Sequence, residues 1–195
     1  MIRSAVISPC ERYRYRLTRR WGEGSALFLC MLNPSRADAQ RDDPTIRRCI
    51  KLSQGLGYSA IEVGSLYAYR TSKPAALVAA SRELVDIIGP ENYAHLRAAC
   101  QSSAQRVAAW GNPPSIHGPN HWRSIGGAAT RGLTHISYVL SILLEDEPLY
   151  CFGETRFDAP IHPLARGRHY LPIGRPLAVH LAEWPPQRTR EERAP

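Results

Sequence analysis

Asn33, Pro34 and Ser35 break off the most apolar run of the chain, Ala26 to Leu32, and mark the first place where chemistry could sit. An asparagine amide donates and accepts together, so Asn33 can hold a water or a ligand amide. The same triplet also favours a plain turn. Three further segments gather polar or aromatic residues: Ser65-Leu66-Tyr67-Ala68-Tyr69-Arg70, Trp110-Gly111-Asn112, and Gly153 followed by His162-Pro163-Leu164. Aromatic and guanidinium planes stack on flat rings, and arginine holds phosphate. Tyr67 and Tyr69 can equally cover the edge of a core. His162 stands in a Pro-rich loop flanked by Arg156, Arg166 and Arg168. That setting suits stabilisation of negative charge beside a phosphate chain, although a solvated loop histidine is the commoner arrangement. Asp38, Asp42 and Asp43 follow Asn33 closely and could supply a base or metal ligand, with Asp43 better read as a helix cap. The histidines show no ligand spacing, so no metal site is expected.

The elements that must carry these residues follow from periodicity. Arg12 to Leu17 alternates charged and apolar residues, the pattern of a strand with one buried face. Ala26 to Leu32 is apolar throughout and reads as a central strand covered on both faces. The two are expected to pair antiparallel, the first at or near the sheet edge. Asp43-Pro44-Thr45 opens a helix with an apolar stripe of Ile46, Cys49, Ile50 and Leu56, ended by Gly55 and Gly57. Further strands are predicted at 60–66, 106–111 and 149–153. Ser72-Lys73-Pro74 and Gly89-Pro90-Glu91-Asn92 open two more helices, and residues 117–127 read as helical. Strands alternating with helices predict an α/β protein: three α/β/α layers around a mainly parallel central sheet of about four to five strands. Residues 1–184 read as a single α/β domain and 185–195 as a disordered basic tail. Ligands of open α/β sheets bind beyond the carboxyl ends of the strands, where the four polar segments fall.

Bulk properties narrow the classes further. A chain of 195 residues can bury one sizeable core. No apolar run approaches the roughly 20 residues of a membrane span. The N-terminus lacks the apolar stretch of a signal peptide, so a cytoplasmic protein is expected. The five cysteines are scattered, without a Cys-x-x-Cys pair, and Cys30, Cys49, Cys100 and Cys151, inside apolar segments, read as small buried hydrophobes. The formal net charge is +8, and Lys51 and Lys73 are the only lysines. A basic excess carried almost wholly by arginine is compatible with phosphate or nucleic-acid partners, and equally with a biased genome.

The ordered series Asn33-Pro34-Ser35-x-Ala37-Asp38, Asp43-Pro44-Thr45-Ile46-Arg47-Arg48-Cys49, Leu66-Tyr67-Ala68-Tyr69-Arg70, Ile88-Gly89-Pro90-Glu91-Asn92, Ala109-Trp110-Gly111 and His162-Pro163-Leu164 resembles the bacterial and phage domain-of-unknown-function 1643 family. The resemblance spans roughly residues 10 to 172. Ser65 stands where the family pattern has an asparagine. A more distant resemblance is to the uracil-DNA glycosylase superfamily, an α/β/α fold with an Asn-Pro or Asp-Pro motif after its first core strand. That superfamily also has a base-reading asparagine after the second strand, a Trp-Gly near the third and a His-Pro-Ser loop after the fourth. Leu32-Asn33-Pro34-Ser35, Ser65, Trp110-Gly111 and His162-Pro163-Leu164 fall in that order here. The glycine usual before the first motif is missing, and Leu164 replaces the serine.

The second resemblance implies roles. Asn33 and His162 would be catalytic, Asn33 positioning the attacking water and His162 holding negative charge on the departing base. Tyr67 or Tyr69 would stack on a flipped-out base and Ser65 would read its edge. Pro34, Ser35, Asp38, Trp110 and Gly111 would complete the base site together with Arg70. Arg156, Arg166 and Arg168 would grip phosphates, with Arg70 assisting. The expected partner is DNA or a nucleotide, with no metal and no organic cofactor. The expected activity is metal-independent cleavage of an N-glycosidic bond. A non-catalytic nucleic-acid or nucleotide binder and an enzyme acting on a free nucleotide are the alternatives.

Overall fold

The computed structural model describes residues 1–113 and 135–183. Seven strands form one sheet: β1 (Ile2–Ile7), β2 (Arg14–Arg20), β3 (Ala26–Met31), β4 (Ala60–Ser65), β5 (Gln105–Ala108), β6 (Leu149–Cys151) and β7 (Ala178–Leu181). Their order is β1-β2-β4-β3-β5-β6-β7. The four strands β4-β3-β5-β6 run parallel, and the pairings outside them, of β1 with β2, β2 with β4 and β6 with β7, are antiparallel. The apolar strand β3 is buried along its whole length and sits in the centre, as its composition demands.

Helix α1 (Pro44–Gly55) covers one face, and α2 (Pro74–Arg82), α3 (Asn92–Gln101) and α4 (His135–Leu143) cover the other. Alternation along β3 divides the core between them. Leu27, Leu29 and Met31 meet Ile46, Cys49 and Ile50 of α1, whereas Phe28, Cys30 and Leu32 share a cluster with Leu77, Leu96 and Leu140. Asp43 caps α1 by accepting from the Ile46 amide at 2.9 Å, and Pro44 occupies the first turn. The buried Asn92 opens α3 and donates Nδ2 to the carbonyls of Ser65 and Leu66, which ties the helix to the end of β4.

Two sequence expectations need correction. β2 pairs with β1 and β4 rather than with β3, because β3 and β4 run parallel through the α1 crossover and fill both central places. The sheet has seven strands, not four or five, since β1 and β7 are short, half-exposed edge strands without a clean apolar pattern. The segment 117–127 and the tail lie outside the described residues. Among the described residues no helix is long and apolar enough to cross a membrane.

One irregularity shapes the site. The β1–β2 register slips at Tyr15: Val6 faces Arg16 but Ile7 faces Arg14. This bulge lets Tyr15 stack on His95 of α3 while the next residue, Arg16, turns to the same side and meets Glu62 at 2.7 Å. Arg14 is thereby sent to the α1 side, where its Nη1 donates to the Ala37 carbonyl at 2.9 Å.

Candidate functional site

A cavity of about 480 Å³ opens at the carboxyl ends of the parallel strands. The chain leaves β3 for α1 on one face and reaches α4 on the other face after β5, so the two strand ends part there. Met31 to Asn33 and Ser35 line it from the end of β3, Trp110 to Asn112 from β5, and His162 from the loop after β6. Thr71, Ser72 and Pro74 close it between β4 and α2, Asp43, Thr45 and Ile46 at the start of α1, and Arg14 from β2.

Asn33 is held by its amide nitrogen. Nδ2 donates to the carbonyls of Thr71 at 2.8 Å, Pro34 at 3.1 Å and Tyr69 at 3.4 Å. Three carbonyls around one atom identify it as the nitrogen, and Oδ1, an acceptor, has no hydrogen bond among the described residues. Asn33 therefore latches the segment after β4 to the end of β3. The Thr71 amide reinforces that latch by donating to the Pro34 carbonyl at 2.9 Å.

His162 is fixed from the opposite direction. Its Nδ1 accepts from the Leu164 amide at 3.0 Å, so the neutral ring carries its proton on Nε2 and presents a donor. Burial holds its pKa below the ordinary value of 6.5, with Asp43 opposing the shift, and the neutral form prevails at pH 7. The loop carrying it is tied to β5 by the Gly111 amide on the Pro160 carbonyl, 3.0 Å. Gly111 has φ +72°, and a Cβ there would lie 3.2 Å from the Cβ of His162. Glycine is required on both counts.

Of the residues singled out in the sequence, Asn33, Ser35, Asp43, Trp110, Gly111, Asn112 and His162 meet at this cavity. The others lie elsewhere. Pro34 is buried behind the latch. Asp38 spends Oδ1 on the amides of Gln40 and Arg41, bonds that lower its pKa. Ser65 is buried at the end of β4, and among the described residues its hydroxyl has no hydrogen-bond partner. Tyr67 packs into the core with its ring 4.8 Å from that of His135, and burial raises its pKa. Tyr69 lies edge-on to Tyr13, and Arg70 donates to the Glu11 carbonyl. Arg156, Arg166 and Arg168 are exposed and none lines the cavity; Arg156 lies over the Phe157 ring at 4.6 Å. Asp42 pairs with the fully buried Arg19 at 2.6 Å.

Sequence reasoning missed Arg14, which period 2 assigned to the solvent face and the bulge turns inward. Thr45, Thr71 and Ser72 were missed as well, having no neighbours in sequence that mark them. Among the described residues, Cys151, Glu154 and His180 bring ligand-type atoms within 4.8 Å of one another, a set no local spacing could reveal. Glu154 and His180 already form a 2.6 Å pair there, and the positive charge of Arg175 acts on Cys151.

Fold and site together define an α/β protein with a cavity at the carboxyl ends of its parallel strands. The chain belongs to the family described as "Protein of unknown function (DUF1643)", whose profile matches residues 14–164. No curated protein and no solved structure matches it.

Proposed function

We propose that this protein is a nucleobase-recognising hydrolase of uracil-DNA-glycosylase-like architecture that cleaves an N-glycosidic bond without a metal. One observation carries the reading: an acceptor, Asn33 Oδ1, and a neutral-ring donor, His162 Nε2–H, belong to residues lining one cavity of nucleoside size. In this reading a water held by Oδ1 adds to the anomeric carbon while the carbon–nitrogen bond breaks. The bonding electrons leave with the base, Nε2–H holds the charge that develops on it, and the proton shed by the added water ends on the released base. A preorganised donor of this kind is worth on the order of 10²–10³ in rate. Tyr67 and Tyr69, expected to stack on the base, are packed elsewhere, and Trp110, itself in the core and edge-on to His180, is the aromatic residue that borders the cavity.

The test is base release from oligonucleotides carrying uracil, hydroxymethyluracil, mismatched thymine or bulky modified bases, and from the matching free nucleosides and nucleotides. Wild type, Asn33→Ala and His162→Gln are compared, with abasic sites scored by alkaline cleavage and free base by chromatography. Release that is lost in both variants supports the reading. Silence across the panel from a folded protein overturns it.

A further inference from the structure

Among the described residues, three arginines are almost fully buried, and their partners differ. Arg19 has the Asp42 carboxylate at 2.6 Å and donates to four backbone carbonyls. Arg106 donates to the carbonyls of Leu143 and Glu145. Arg14, 4% exposed, has one side-chain hydrogen bond among the described residues, to the Ala37 carbonyl, and no carboxylate oxygen of theirs within 4.0 Å. Arg14 lines the cavity together with Thr45, Thr71 and Ser72, of which the Thr71 hydroxyl already donates to the Lys73 carbonyl. A buried guanidinium carries five N–H donors in a planar fork and is costly to leave unpaired. A bulge in β2 is what delivers it there, and bulges re-aim side chains at sites.

We infer that the ligand of this cavity brings its own anionic group, the terminal phosphate of a free mononucleotide, and that Arg14 receives it. The inference rests on the cavity being a nucleotide site. Arg14 forks onto two phosphate oxygens, with the Thr45 and Ser72 hydroxyls as neighbouring donors. A terminal phosphate can reach a group that is 4% exposed, whereas an internal phosphodiester carries a sugar on each side and cannot be buried so deeply. Arg156, Arg166 and Arg168, exposed and outside the cavity, are not placed to do this. Asp43 is the carboxylate that acts most strongly on Arg14, and its Oδ1 is engaged in capping α1. Burial lowers the Arg14 pKa to about 10, which leaves it charged at neutral pH.

The experiment is calorimetric titration of the full chain with a nucleoside 5′-monophosphate series, the corresponding nucleosides, inorganic phosphate and a duplex oligonucleotide. Wild type, Arg14→Gln and Arg14→Lys are compared, with folding checked by circular dichroism. Monophosphates are expected to bind at least ten-fold tighter than nucleosides to wild type. Arg14→Gln is expected to abolish that ratio and Arg14→Lys to keep part of it. The neutral variant is also expected to melt no lower than wild type without ligand, because a lone buried charge has been removed. Equal binding of nucleoside and monophosphate by wild type, or an unchanged ratio in Arg14→Gln, overturns the inference. Monophosphate binding without base release would overturn the hydrolase reading and leave Arg14 in its role. Base release with no monophosphate preference would do the reverse.

Discussion

Asn33 serves two purposes with two ends of one amide, and they can be separated by mutation. Asn33→Asp keeps the shape and an acceptor but places oxygen against the carbonyls of Pro34, Tyr69 and Thr71. The expected loss is about 1–3 kcal/mol of stability, read as a lower urea midpoint with an unchanged m-value. His162 sets a pH dependence of definite sign. Its folded pKa is depressed, so the unfolded chain binds more protons as the pH falls below 6.5. The stability tied to neutral His162 is thus complete above that value and lost as the pH falls through the folded pKa. Between pH 7 and 5 the melting temperature of wild type should drop further than that of His162→Gln. Gly111→Ala forces a side chain onto φ +72° and against His162; it should cost about 1–3 kcal/mol and disturb ligand binding with it.

At the scale of elements, β2 does the unusual work. Its two inward arginines, Arg14 and Arg19, sit on the same face as Leu17, one bordering the cavity and one clamping the segment that leads into α1. Asp42→Ala would leave Arg19 charged, fully buried and without its carboxylate. A loss of about 3–5 kcal/mol is expected, measured by denaturant titration, with β2 and the start of α1 losing amide-exchange protection together. A solvent-exposed or catalytic Asp42 would show no such loss. On the opposite face Gly64 meets Leu96 and the Phe28 ring so closely that an added Cβ would lie 2.7 Å from Leu96 Cδ2. The close approach of α3 to β4 depends on that missing side chain.

For the whole molecule, charge and cavity are separate features. The net charge of +8 is spread over exposed arginines such as Arg156, Arg166 and Arg168, while the cavity is lined by one arginine, Arg14, and by Asp43. Any binding to duplex DNA should therefore run through those exposed arginines and weaken steeply with salt. Replacing those three exposed arginines by alanine should lower the log–log salt slope by about 2–3, since each phosphate that an arginine neutralises adds roughly 0.9 to it. Mononucleotide binding in the cavity should keep its affinity in the same variant. Calorimetry at two salt concentrations distinguishes the two surfaces.

Local sequence was enough to find β3, whose unbroken apolar run can only be central, and α1, whose Asp43-Pro44 start is a cap and first turn. It was also enough to mark Asn33 and Trp110-Gly111, which closely follow buried strands, and His162 in the loop that leaves the last predicted strand, because a chain leaving a buried strand must pass its rim. Strand order was not legible, since β2 presents the same half-buried pattern whether its neighbour is β3 or β4. Nor could the sequence show that Tyr67 turns into the core, that Ser65 stays out of the cavity, or that Arg14 points inward. Those outcomes depend on a bulge, a parallel crossover and packing between segments far apart in the chain, which local alternation does not encode. The tertiary structure thus decided which polar side chains share one cavity and placed Arg14, alone among the buried arginines described, in its lining.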